Sequence, residues 1–213
     1  MKNLSVNISG EFGGLCFKFD YNFSNNGITA LFGPIGSGKS TIANVIVGFN
    51  KKLKSKIFLN NNEIQGKSFL SPRFRPIAIM FQEGRLIENL NVDENLKFAQ
   101  EKSKIKKSFS RSINRDYVVE NLNLKDKLLK YPNALSVGEK QLVSLARTLL
   151  ISSQFIILDE PTSSLDLRLK TKVLGFLKVF NKKYNIPILL ISHSVEEISQ
   201  ISDEIILINK GNF

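Results

Sequence analysis

Residues 33–41 read Gly33, Pro34, Ile35, Gly36, Ser37, Gly38, Lys39, Ser40, Thr41, and no other segment restricts the fold of this chain as tightly. The spacing is G-x-x-x-x-G-K-[ST], a pattern that carries meaning only between a strand and a helix. Both are predicted: Ile28–Phe32 is an apolar run, and Ser40–Gly48 has apolar residues at helical spacing. Glycine lets the backbone turn so tightly that successive N–H groups converge on a phosphate. The helix N-terminus adds partial positive charge at the same point. In that setting Lys39 reaches the β- and γ-phosphates of a nucleotide, and the Ser40 hydroxyl can ligate Mg²⁺. The competing reading is a glycine-rich loop with a chance lysine, and the flanking strand and helix weigh against it.

The remaining periodicity predicts an α/β chain. Short bursts of alternation over the first thirty residues, such as Leu15–Phe19, fit antiparallel strands. Strands are expected at Lys56–Leu59, followed by a turn at Asn60–Asn62, and at Ile77–Phe81, 155–158, Pro187–Ser192 and 204–208. Helices are expected over 167–184 and 195–201, and the stretch from Val92 to Ile151 is mostly helical, with basic and polar breaks around 101–115. Strand and helix alternate at both ends with a helical insertion between them, which predicts a parallel α/β core carrying a helical lobe.

A second chemical signal is Phe155-Ile-Ile-Leu-Asp-Glu160, an apolar strand ending in two adjacent carboxylates. Open α/β sheets gather ligands at the carboxyl ends of their strands. Behind a phosphate loop, Asp159 would hold Mg²⁺ directly or through water, and Glu160 would orient and deprotonate an attacking water. A solvated acidic turn is the plain alternative.

The third signal, Leu135-Ser-Val-Gly-Glu-Lys-Gln141, opens a helix with Ser136 in the cap position. Here the chain resembles the ATP-binding cassette (ABC) family of transport ATPases, whose signature reads Leu-Ser-Gly-Gly-Gln. Other marks of that family follow in order: Gln82 after its strand, Ser164-Leu165-Asp166, and His193 in Ile191-Ser-His-Ser194. The resemblance implies a P-loop NTPase core with an antiparallel β subdomain and a helical subdomain. As domains it implies one ATP-binding domain over 1–213, with 1–83 and 152–213 as nucleotide-binding core and 84–151 as helical signature subdomain. It implies Glu160, His193 and Gln82 as catalytic residues, and Ser40, Gln82 and Asp159 around Mg²⁺. ATP contacts fall on residues 33–41, on Ser136 and Gly138, and on Asp166. In this family an aromatic upstream of the loop lysine stacks on adenine; Phe12 stands at that spacing, and packing in the core is its alternative role.

The same resemblance implies a mechanism. Two cassettes pair head to tail, each ATP lying between the phosphate loop of one copy and the Ser136–Gly138 segment of the other. ATP closes this homodimer and hydrolysis releases it, while Gln82 couples the motion to a transmembrane permease and, through it, to a substrate-binding protein. Two positions depart from the family. Val137 replaces a signature glycine, which costs about 1–2 kcal/mol if that residue needs positive φ. Leu142 stands where an arginine is usual and removes an ion pair.

Three stretches, Asn26–Gly33, Phe81–Leu86 with Asn91–Leu96, and Asn185–Ser194, look like the ATPase of molybdate importers. Importers of iron(III), sulfate or thiamine share most of these motifs. Nucleic-acid-associated cassettes carry long coiled-coil arms between the loop and the signature, for which this chain has no room. An inactive regulator is disfavoured by the presence of Glu160 and His193.

Bulk properties agree with a soluble cassette. The 213 residues are 42% hydrophobic and 23% charged, ordinary for a globular protein. No apolar leader or membrane-length segment is present in the sequence, so the expected location is peripheral, on the cytoplasmic side of the inner membrane. The net charge of +11 gathers in Lys51–Lys56 and Lys102–Lys107, with Arg111 and Arg115 behind them. It suits either an anionic membrane surface or a solvated basic face, and without interleaved aromatics no nucleic-acid partner is expected. The lone cysteine, Cys16, lies in an alternating run and is expected to pack in the core.

Overall fold

The computed structural model describes residues 4–104, 112–151 and 153–212, with the side chains of 102–104 excepted. In chain order the elements are β1 (Leu4–Phe12), β2 (Leu15–Phe23), β3 (Ile28–Phe32), α1 (Lys39–Val47), β4 (Lys54–Leu59), β5 (Asn62–Gln65) and β6 (Ile77–Met80). Then come α2 (Val92–Lys104), α3 (Arg115–Asn121), α4 (Val137–Leu150), β7 (Phe155–Asp159), α5 (Leu167–Tyr184), β8 (Ile188–Ser192), α6 (Val195–Ile201) and β9 (Glu204–Leu207). Every expected element is present, with ends shifted by a residue or two, as fraying termini dictate. Strand β5 was not anticipated; its four residues NEIQ carry little β pattern of their own, and pairing with β4 forms it. The second lysine cluster and Arg111 fall among side chains outside the described residues.

Two sheets organise the molecule. An antiparallel sheet runs in the order β2-β1-β4-β5, and a parallel sheet runs β6-β7-β8-β3-β9. The parallel strands are continuous apolar runs because both of their faces are covered. Along β7 the alternation divides the side chains: Ile156 and Leu158 face one hydrophobic layer, Phe155 and Ile157 the other. The first layer holds the apolar faces of α2 to α6, including Val143, Leu145, Leu149, Leu177 and Phe180. The second holds α1 and the inward residues of the antiparallel sheet, among them Val6, Phe17, Phe19 and Ile57.

Register decides the fate of Cys16. Phe17 and Phe19 point inward on β2, so Cys16 shares the outer face with Lys18 and is exposed. The expectation that it packs in the core is therefore wrong, because side-chain period two places neighbours of a buried residue on the opposite face.

Helix α2 begins with reciprocal capping, Asn91 N–H donating to Glu94 Oε2 at 2.8 Å and Glu94 N–H to Asn91 Oδ1 at 2.9 Å. Contacts of α2 and α3 run chiefly to α4, which in turn packs on β6 and β7. The helical group thus rests on the β6–β7 side of the parallel sheet.

Candidate nucleotide-binding site

The loop between β3 and α1 is built by close approach and left-handed backbone. Gly38, the residue before α1, has φ +100°, and a Cβ there would lie 2.6 Å from the Phe17 ring. At Gly33 a Cβ would collide with the Ile208 carbonyl. The carboxy-terminal segment braces the loop: Ile208 N–H donates to Phe32 O at 2.8 Å and Gly211 N–H to Ser37 O at 2.9 Å.

Lys39 is buried, its Nζ donating to Gly33 O and Pro34 O, each at 2.8 Å. Burial pushes its ammonium below the ordinary lysine range, and the Glu160 and Asp159 carboxylates partly oppose that shift. Asp159 ends β7 and is also buried. Burial pushes its carboxyl up; a hydrogen bond from Ser40 lowers it, Glu160 raises it and Lys39 lowers it. The Ser40 hydroxyl and the strand-end carboxylate thus influence one another across the site. Among the described residues no cluster of three or more His, Cys, Asp or Glu side chains could hold a metal. A cation here would draw on one carboxylate, a hydroxyl and the oxygens of a nucleotide or water, which is how Mg²⁺ is usually held.

Glu160 has φ +50°, a left-handed conformation rare for a residue with a side chain and costing about 1–3 kcal/mol. Its N–H donates to Ile191 O at 2.9 Å, joining the β7 turn to β8. One carboxylate oxygen lies 2.7 Å from His193 Nδ1, and the other accepts from Gln82 Nε2 at 3.2 Å. Three motifs distant in sequence therefore converge on one carboxylate. A cavity of about 490 Å³ opens beside it, lined on one wall by Gly36, Gly38, Lys39, Ser40 and Thr41, and on the other by Gln82, Glu160 and His193. Phe12, Gly13, Leu15 and Ile35 complete the lining. Phe12 is half-buried, at the end of β1, and packs against the second hydrophobic layer as well as facing the cavity. Both readings of that residue thus describe part of its surroundings.

The structure does not bring the signature to this cavity. Ser136 caps α4, its Oγ accepting from Glu139 N at 3.2 Å while Glu139 Oε2 accepts from Ser136 N at 2.8 Å. Val137 is 71% exposed and is the first residue of the helix, outside the residues with positive φ. The conformational cost that this residue would carry in a left-handed position does not arise. Gly138 lies against the turn after β7, where a Cβ would be 3.0 Å from Ser164 O. Asp166 caps α5, accepting from Leu169 N at 3.0 Å. Ser136, Gly138 and Asp166 are not among the residues lining the cavity.

Sequence reasoning passed over the residue that joins these two regions. Gln141 is buried on α4; its Nε2 donates to Glu160 O at 2.9 Å and Ser163 Oγ at 3.0 Å, and its Oε1 accepts from Ser164 N at 2.9 Å. No local signal marks it, since Glu139 and Lys140 precede it and it reads as one more polar residue of the first turns of the helix. Asn95 was also missed. Fully buried on α2, it donates to Ile87 O, Leu90 O and Asn91 O and accepts from Ile87 N, anchoring the loop that follows Gln82. Arg147 of α4 donates to Arg85 O in the same loop. Arg75, 1% exposed, donates to Ile46 O at 2.6 Å at the C-terminal end of α1, and burial lowers its guanidinium to about 10.

Residues 17–163 match the ABC transporter family. The molybdenum import ATP-binding protein ModC of Saccharophagus degradans is 38% identical over 212 residues, covering 98% of this chain and 56% of that protein. The protein of the same name from Escherichia coli K12 is 34% identical over 211 residues, covering 98% and 58%. The chain thus spans little more than half the length of these curated relatives. Among solved structures, the ATP-binding cassette MJ0796, described as a dimer in a post-hydrolysis state bound to ADP and Pi, matches with TM-score 0.79 at 22% identity. That match covers 98% of this chain and 95% of the other, and at such identity it concerns the fold. With the family match extending over more than half of its residues, this chain belongs to the ABC transporter family.

Proposed function

We propose that this chain is the ATP-hydrolysing subunit of an importer for molybdate or a related oxyanion. The observation that carries the hydrolytic part is the Glu160 carboxylate, held by His193 and Gln82 at the edge of the cavity that Lys39 and Ser40 line. Residues 33–41 bind the triphosphate through backbone N–H groups and the Lys39 ammonium. Glu160 takes the proton of the attacking water, a role worth roughly 10²–10⁴ in rate. His193 contacts the γ-phosphate and Gln82 positions the water; Phe12 stacks on adenine. Mg²⁺, when bound, neutralises phosphate charge. Ser40, Gln82 and Asp159 would hold it, and a buried carboxylate with a raised pKa beside a hydroxyl suits a hard cation.

The exposed position of Ser136 and the half-buried one of Gly138, both away from the cavity, suit a contact made in trans. Two copies pair head to tail, the capped start of α4 directing N–H groups and positive dipole at the other copy's nucleotide, with Asp166 at the same seam. Residues 1–83 and 152–213 act as nucleotide-binding core and 84–151 as the signature subdomain. Transmembrane permease subunits, and through them a substrate-binding protein, complete the importer at the cytoplasmic side of the inner membrane. Among the described residues no helix is long and apolar enough to cross a membrane, and this reading assigns the span to the permease subunits. The names of the two curated relatives support molybdate as cargo.

Glu160→Gln tests this reading. Hydrolysis should fall by about 10²–10⁴ while ATP still binds, and light scattering should register a dimer at saturating ATP. A variant that stays monomeric there refutes the trans arrangement. Co-purification from membranes should bring down a permease; recovery of nucleic acid instead would overturn the assignment.

A further inference from the structure

We infer that Glu197 is a positioning residue that sets the contact between Glu160 and His193. The inference rests on the hydrolytic reading above. Glu197 lies in the first turn of α6, is 4% exposed, and divides its two oxygens between the two loops that carry those side chains. Oε2 accepts from Ser192 Oγ at 2.6 Å. Ser192 Oγ in turn accepts from Ser194 N at 3.0 Å, so the residues on either side of His193 hang from one carboxylate oxygen. Oε1 accepts from Thr162 Oγ1 at 2.9 Å, two residues beyond the left-handed Glu160. The Lys170 ammonium of α5 lies 2.8 Å from the same oxygen.

The carboxylate thus works as a rigid spacer. Its two oxygens are fixed relative to each other by covalent geometry, and each holds one loop. The turn after β7 and the turn after β8 therefore cannot slide past one another without breaking a bond to a buried charged acceptor, the stronger kind. The group that senses such sliding is the 2.7 Å contact between Glu160 and His193. A displacement of about 1 Å at a reacting group costs on the order of a hundred-fold in rate, although Glu197 itself does not line the cavity.

His193 is the only histidine in the chain, so a long-range ¹H–¹⁵N spectrum reads its ring without assignment ambiguity. In the intact protein the ring should hold its hydrogen on Nδ1, facing Glu160, and Glu160→Gln should remove that preference. Glu197→Gln, and Thr162→Val, which cuts one arm only, should move the ring signals in the same direction. In both, kcat for ATP hydrolysis should fall about ten- to a hundred-fold with KM for ATP changed less than two-fold. Ring signals unchanged from the intact protein in both variants would overturn the inference, as would shifted rings with unchanged kcat. If Glu197→Gln does not fold, Thr162→Val decides. If the intact protein hydrolyses no ATP, the proposed activity fails, and the ring spectra alone judge the positioning role.

Discussion

Replacing Gln141 with leucine removes hydrogen bonding from a buried site at nearly constant volume. Three bonds disappear, to Glu160 O, Ser163 Oγ and Ser164 N, each contributing about 1 kcal/mol net. The losses are unequal. Glu160 O keeps Ser163 Oγ at 3.2 Å and Ser163 N at 3.3 Å. Ser164 N loses its side-chain acceptor, but the residue is exposed and water can partly replace that bond, so this loss stays near the net value of about 1 kcal/mol. The expected loss is about 2–4 kcal/mol, out of the 5–15 kcal/mol typical of a folded domain. At about 2–4 °C per kcal/mol for a chain of this size, the melting midpoint should drop by roughly 10 °C. Urea unfolding followed by far-ultraviolet circular dichroism measures the loss directly. Gln141→Glu keeps an acceptor for Ser164 N but turns a charged oxygen toward Glu160 O, and should cost at least as much. A loss below about 1 kcal/mol for Gln141→Leu, with an unchanged denaturant slope, would refute the claim that this side chain clamps the Glu160 turn.

Lys39→Ala should weaken ATP binding by about ten- to a hundred-fold, the value of one hydrogen bond to a charged group; unchanged affinity in a fluorescent-nucleotide titration would refute its role. Val137→Gly should lower thermal stability by no more than about 1 kcal/mol, the ordinary helix cost of glycine, because Val137 is exposed and not in a left-handed conformation; a gain in stability would reveal strain there. Glu197 should add an acid-sensitive component to stability. Burial opposes its charge, but bonds from Lys170, Ser192 and Thr162 outweigh burial and hold the carboxyl below its usual 4.5. A depressed folded pKa means that this contribution is fully present above the unfolded value and is lost as pH falls through the folded one. The stability gap between the intact protein and Glu197→Gln should therefore be constant near pH 7 and shrink below about pH 4.5; a gap that widens with acid would contradict the assignment.

Local pattern sufficed for the phosphate loop, the signature helix and the parallel strands. A tight turn needs Gly33 and Gly38 by steric necessity, a helix start advertises its cap at Ser136, and a strand covered on both faces reads as unbroken apolar residues, as in 155–158. These are properties of neighbours in the chain, so the chain displays them. Face and partner are another matter. Cys16 needed the register of β2 to show which side was outward. Gln141, Asn95 and Glu197 are single polar residues in helices, indistinguishable by sequence from solvated ones until their acceptors, brought from other elements, surround them. The left-handed backbone of Glu160, and its contacts with residues far along the chain, depend on β6, β7 and β8 lying side by side. The residue types that act on phosphate were therefore decided locally, whereas the distances at which they act arise only when separate strands end at the same edge of one sheet.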